Sequence, residues 1–321
     1  MQQNETRPFI NRLPYIDYAK AFCIFLMVVG HYTDNRIILS YIYSFHMPAF
    51  FCISGYLYKP HPCWKTVASF SIPVVFFSLV SYIVDYFLGE LPAGSESIHY
   101  IVIHILAWRH GISPLFKGVW FLWTLASIRL IFGDIPWLKI TRKFYIPLAI
   151  ASTLYMTLIQ NITNIETLTH GYYLGKIIPS LPFFCFGLFL RDIRWTPQTL
   201  YSGKIVILVA LMFVFIPTTQ NYCDIYNSEY GYSYLIAASV AILFTLMLFW
   251  FANKLPPSKF IETISNGTFI VLGVHMPILR MLNHTLGDSA SFLFPFITLL
   301  ISYHIILFCE KFCPILLGKW K

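Results

Sequence analysis

Lys20 and His31 stand eleven residues apart in an otherwise apolar run, and a second imidazole follows in Ser44-Phe45-His46-Met47-Pro48. At about 100° per residue, two helical side chains with that spacing fall within roughly 20° of one another. They lie about 16 Å apart along the axis, roughly half a hydrocarbon core. A cation and a titratable ring on one stripe, where a bilayer makes charge costly, predict a polar path facing the protein interior. Asp17 precedes Lys20 by three residues and can pair with it on the same helix face. Further on, Gly273-Val274-His275-Met276-Pro277, with Arg280 after it, brings a third histidine. Imidazole titrates near neutral pH, so histidines at one depth can act as a general base and its partner.

Each of these residues also has a plainer reading. Lys20 can snorkel to the inner interface. His31 can sit satisfied at the interface, and His46 can cap or anchor its helix at the headgroups. Ser54 of Phe51-Cys52-Ile53-Ser54-Gly55 can bond its own backbone. Gly55 can serve close helix approach. Trp120 of Lys117-Gly118-Val119-Trp120 is placed as an aromatic-belt residue; its indole N–H can alternatively donate to a substrate oxygen. No phosphate-binding glycine loop, metal-ligand spacing or GxSxG elbow occurs, so no metal is expected.

The elements that must position these residues are apolar helices. The 321 residues are 57% hydrophobic and 11% charged, with mean hydropathy +0.66. The apolar residues recur in blocks of membrane-spanning length. The reading is an all-α, polytopic membrane protein forming a single domain over 1–321. About ten transmembrane helices are predicted near 16–33, 41–58, 67–88, 119–133, 144–160, 172–190, 204–217, 232–252, 264–284 and 290–311. The run 98–108 is too short to span and is predicted to be interfacial or re-entrant. The N-terminal apolar run lacks a small-residue cleavage pattern and is read as a retained first span.

Charge sets the orientation. With the N-terminus inside, fifteen of the 22 Lys and Arg fall in inner loops, five in outer loops and two within spans. By the positive-inside rule both termini are cytoplasmic. The net charge of +8 is scattered singly over short loops, which excludes a nucleic-acid surface. The seven cysteines, mostly within apolar segments, give no disulfide framework.

Taken in register, Tyr15-Ile16-Asp17-Tyr18-Ala19-Lys20, ten residues and then His31, Ser44-Phe45-His46-Met47-Pro48 and Phe50-Phe51-Cys52-Ile53-Ser54-Gly55-Tyr56 resemble the acyltransferase-3 family of bacterial integral-membrane acyltransferases. Trp120-Phe121-Leu122 and Ile264-Ser265-Asn266-Gly267-Thr268-Phe269 leading to His275 are lesser echoes. The resemblance is sharp over the first sixty residues and rests mostly on span number beyond them. It implies O-acylation, chiefly O-acetylation, of surface carbohydrate in the bacterial plasma membrane, with cytoplasmic acetyl-CoA as donor. Lys20 stands where many members carry arginine, and lysine lacks the planar fork that grips phosphate bidentately.

The expected mechanism joins both lines. Lys20, Asp17 and Arg12 meet the anionic acyl-CoA near the inner face. His31 is the base on the acceptor hydroxyl, with His46 and His275 as its partners; an acyl-histidine intermediate is the other possibility. Ser54, Trp120 and Arg280 complete the substrate-binding set, with Ser54 or Trp120 stabilising the oxyanion. The partners are acyl-CoA, a carbohydrate acceptor and the bilayer. The rival is a transporter or flippase for a lipid-linked sugar, with the histidines as a proton relay. A structural partner in a glycan-assembly complex is a third reading.

Overall fold

In hydrocarbon no water satisfies a free backbone N–H or carbonyl, so apolar runs of this length close their hydrogen bonds within helices. A computed structural model describes residues 12–92, 94–106, 115–135, 140–160, 173–199, 223–287 and 292–319, with a few single residues between 203 and 211. Its helices are α1 (Pro14–Gly30), α2 (Arg36–Tyr56), α3 (Cys63–Leu88), α4 (Ile98–Leu106), α5 (Val119–Arg129), α6 (Tyr145–Ile159), α7 (Ile177–Asp192), α8 (Tyr234–Ala252), α9 (Lys259–Asn266), α10 (Thr268–Leu286) and α11 (Phe294–Phe312). Among the described residues there is no strand, only an isolated bridge between Asp224 and Glu229. Among the described residues, five helices are long and apolar enough to cross a membrane: α2, α3, α8, α10 and α11. The expected span 204–217 lies largely outside the described residues.

The helix ends follow local chemistry. Pro14 opens α1 at a position where its missing N–H costs nothing. The Asn35 side chain accepts the Ile37 N–H at 3.0 Å and the Ile38 N–H at 3.2 Å. That cap starts α2 at Arg36, ahead of the predicted 41. Gly89 closes α3 in the left-handed region, with φ +70°, as a residue without a Cβ can. The predicted fourth span narrows to α5 and passes into one π turn, Leu130–Asp134.

Two differences from the sequence expectation bear on function. First, α1 ends at Gly30, so His31 is the residue that caps it and not an interior position. Its backbone N–H still reaches the Met27 carbonyl at 3.1 Å, which keeps the helical stripe running to it. Second, the predicted single helix 264–284 is two helices, α9 and α10, parted at Gly267. Gly267 is jammed against Ile306 of α11, where a Cβ would overlap that side chain. The break turns the Ser265 carbonyl and hydroxyl toward α1.

The tightest seam joins α2 to α7. A Cβ built on Gly55 would overlap the Phe184 carbonyl, and one on Gly187 would overlap the Cys52 carbonyl. The two backbones therefore touch through a pair of glycines, each facing the other helix. α1 lies across α2, α8 and α9, while α10 packs on α3 and α11. The core is aromatic, with Phe50 and Phe51 against Phe121 and Phe77 against Phe116. Gly55→Ala and Gly187→Ala should each cost at least the roughly 1–3 kcal/mol of an overpacked core. The check is the thermal midpoint of purified protein in detergent; midpoints equal to wild type for both would contradict the glycine seam.

Candidate active site: three histidines between two cavities

The inner end of the site is built from α1 and the α9–α10 break. Asp17 takes Arg12 through two bonds, Nε–Oδ2 at 2.6 Å and Nη2–Oδ1 at 3.0 Å. Arg12 also reaches Glu262 Oε1 at 3.0 Å and Asn266 Oδ1 at 3.1 Å. Asp17 accepts the Ser265 hydroxyl at 2.6 Å. The expected close pair of Asp17 with Lys20 is therefore replaced by Asp17 with Arg12. Lys20 turns instead to the Ser265 carbonyl, 2.5 Å away. The reason is the helix break, which offers Lys20 a carbonyl that an unbroken helix would have used itself. Arg12 acts as a tie between α1 and α9.

Lys20 lines a narrow cavity of about 200 Å³ that runs along α1, α2 and α5. Ile24, Met27, Met47, Phe50 and Leu272 make it largely apolar, and Ser54 and Arg129 lie on its wall. Phe70, Arg129 and Phe269 also bound a second cavity of about 320 Å³, where His61 and Lys65 gather. Arg129 bonds the Lys59 carbonyl at 3.2 Å and lies over the Tyr58 ring. Arg129 and Lys65 were not singled out in the sequence; a lone cation in the apolar run of α5 was the available signal.

The opposite cavity is larger, about 930 Å³, and is lined by His31, Asp34, Glu90 and Arg280 together with apolar side chains of α1, α10 and α11. The partition between the two is where the histidines meet. On α1, Met27 faces the inner cavity and Val29 and His31 the outer one. On α10, Leu272 faces inward and Met276 outward, with His275 between them. His46 immediately precedes Met47 of the inner cavity. The His31 and His275 ring centroids are 5.1 Å apart. His46 lies within electrostatic reach of His31.

Two of the three rings are held in the same way. A carbonyl can only accept, so His46 Nδ1 carries its proton and donates to Ile42 O at 2.7 Å. His275 Nδ1–H donates to Leu272 O at 2.8 Å and Val271 O at 3.1 Å. In the neutral ring this leaves Nε2 as the basic nitrogen of both. His275 Nε2 is buried without a hydrogen-bond partner. Both histidines open a His-Met-Pro tripeptide, and the proline two residues on removes one helical N–H. That recurrence was visible in the sequence, though the ring geometry it serves was not. His31 differs from them: it is exposed to the outer cavity. Lys117 is near enough for its charge to act on it.

Arg280 stands in the outer cavity, in close ion pair with Asp85 of α3 and 3.9 Å from Glu90 Oε2. Asp85 is 7% exposed and was not foreseen; an acid in the long apolar α3 was its signal. Trp120 is 8% exposed, packed rather than placed in a belt, with its ring 5.6 Å from Tyr226. Tyr226 belongs to the loop at 223–231, where Lys176 donates to Ser228 Oγ at 2.7 Å. Burial raises the Asp224 carboxyl above the usual carboxylate range, against the hydrogen bonds from Asn227. Among the described residues, no group of three His, Cys, Asp or Glu side chains is placed to hold a metal ion.

A helical membrane protein with a histidine cluster between two cavities is the class that this arrangement defines. The chain matches the acyltransferase domain family Acyl_transf_3 over residues 13–309, and it belongs to that family. No curated protein and no solved structure matches it.

Arg280→Ala leaves the buried Asp85 carboxylate without its ion-pair partner, whereas Asp85→Ala leaves Arg280 with Glu90 at 3.9 Å. Asp85→Ala and Arg280→Ala should thus be less than additive in a double-mutant cycle on unfolding. Strict additivity would mean that the two charges do not pair.

Proposed function

We propose that the protein moves an acetyl group from cytoplasmic acetyl-CoA to a hydroxyl of a cell-surface or lipid-linked carbohydrate, in the plasma membrane of a bacterium. The observation that carries this reading is the contact of His31 with His275 at the partition between a narrow inner cavity and a wide outer one. A thioester arriving from one side and a hydroxyl from the other meet at a basic nitrogen. Membership of an acyltransferase family supplies the reaction class.

The inner cavity suits the donor. Its small bore and apolar wall fit a slender chain better than a bulky head. Lys20, Arg129 and Lys65 supply positive charge along the way for anionic phosphates. Ser54 lies eight residues from His46, about 12 Å inward along the helix. It lines the inner cavity and so belongs to the donor's path rather than beside the reacting carbon. The charge asymmetry of the loops supports a cytoplasmic location for this end and for both termini, in a bundle of about ten spans.

His31 is the general base. The acceptor oxygen attacks the thioester carbonyl while its proton passes to the His31 ring. The tetrahedral intermediate collapses with loss of the C–S bond, and the proton goes on to the departing thiolate. The products are an ester and free CoA. His275 and His46, each with Nδ1–H fixed by its own helix, orient the base. Arg280 contributes from the outer cavity, toward the acceptor, and Trp120 supports the site from behind through its packing on Tyr226.

His31→Ala should lower acetyl-CoA-dependent transfer by about 10²–10⁴-fold while the protein still inserts and folds. His275→Asn keeps a donor for the α10 carbonyls but removes Nε2; transfer should fall with folded yield unchanged. Lys20→Ala should raise the KM for acetyl-CoA. The assay follows acetyl-labelled acetyl-CoA with purified protein in nanodiscs. A folded wild type that consumes no acetyl-CoA but supports proton-gradient-dependent sugar movement would replace this reading with a transporter.

A further inference from the structure

Each of the three histidines has an apolar neighbour on its own helix that faces the inner cavity. On α1 it is Met27, whose carbonyl accepts the His31 backbone N–H. On α2 it is Met47, the residue after His46. On α10 it is Leu272, whose carbonyl accepts His275 Nδ1–H at 2.8 Å. These three side chains bound the end of the inner cavity that lies next to the histidines. Leu272 is fixed there by Gly118, just before α5, because a Cβ on Gly118 would overlap the Leu272 side chain. The two methionines are unbranched, and such side chains fill gaps of irregular shape.

The nearby cations are all placed elsewhere. Lys20 lies seven residues before Met27, about 10 Å inward along α1, and its ammonium donates to the Ser265 carbonyl. Arg129 is held by the Lys59 carbonyl and the Tyr58 ring, beyond the inner end of α2. Arg280 lies across the histidines in the outer cavity, paired with Asp85. Lys117 is exposed and lines neither cavity. A carboxylate beneath Met27, Met47 and Leu272 would be desolvated with no cation beside it, which is costly. Room is short as well. The cavity's volume of about 200 Å³ is below the roughly 300–1,000 Å³ of a pocket for a drug-sized ligand. The slender arm of CoA must share that space with its acyl chain.

We infer that Met27, Met47 and Leu272 select the acyl group, admitting a short uncharged chain and turning away longer or carboxylate-bearing ones. This rests on the acyl-transfer reading above and assigns its donor specificity to three residues. The thioester carbonyl reaches the histidines while its hydrocarbon lies under these side chains. The chemistry is the ester formation already described, with the hydroxyl proton passing through His31 to the CoA thiolate. In an apolar pocket one methylene too many costs about 10–200-fold in discrimination.

The test uses the full chain in nanodiscs with acetyl-CoA, butyryl-CoA and succinyl-CoA as probes, and a membrane extract of the producing cells as acceptor. The readout is release of free CoA thiol, expressed as kcat/KM for each donor. Acetyl-CoA should be favoured at least tenfold over each of the other two. Met47→Ala and Leu272→Ala should each narrow the acetyl-to-butyryl ratio at least threefold and leave succinyl-CoA a poor donor, since neither change adds a cation. Val28→Ala, an equally buried truncation on α1 but outside the cavity lining, should leave both ratios as they are. Each ratio is taken within one preparation, so a lower folded yield does not alter it. Butyryl-CoA or succinyl-CoA used as well as acetyl-CoA by the wild type would overturn the inference and leave the acyl-transfer reading standing. So would an acetyl-to-butyryl ratio untouched by both alanine changes. A folded wild type that consumes none of the three donors removes both.

Discussion

An imidazole inside an apolar bundle is tolerable only if its N–H is satisfied, and here the helix that carries the ring does this itself. His46 gives its Nδ1–H to Ile42 O, and His275 gives its own to Leu272 O and Val271 O. Neither ring depends on a distant partner for its tautomer, so Nε2 is the basic atom in both. A buried basic nitrogen without a partner is costly. The bundle tolerates that cost at His275, where His31 lies alongside.

The remaining architecture brings those rings to one level and keeps two cavities apart there. Contact between α2 and α7 through Gly55 and Gly187 fixes the depth of His46. Contact of α10 with α3, where Gly273 admits the Phe77 ring, fixes that of His275. At the inner end, the break at Gly267 releases a carbonyl and a hydroxyl, which anchor Lys20 and Asp17. A continuous helix would have spent the carbonyl on its own ladder, leaving Lys20 without that partner. The cavities differ in bore because the inner is walled by interdigitated core side chains, whereas the outer opens among the ends of α1, α10 and α11.

Much of the candidate site could be singled out beforehand for a simple reason. Only 11% of the chain is charged. An ionisable group within an apolar run is therefore conspicuous, and helical periodicity says which others share its face. Lys20, His31, His46, His275 and Arg280 were all found that way. Asp85 and Arg129 carried the same signal and were passed over, because neither belonged to a recognised segment. The pairing of Asp17 was misread because Arg12 and Ser265 come from outside the helix on which spacing arguments operate.

The sequence by itself determined the all-helical character, the apolar runs and their approximate ends, the stripe from Lys20 to His31 and the kind of chemistry that imidazoles can do. Those properties are local: they follow from side-chain transfer, backbone hydrogen bonding and the helical period. Only the tertiary structure decided that His31 meets His275, that Asp85 takes Arg280, that 264–284 breaks at Gly267, and that the histidines divide a narrow cavity from a wide one. Each depends on which helices pack together and at what depth. That choice is made by shape complementarity at places such as Gly55 against Phe184, between residues with no relation along the chain.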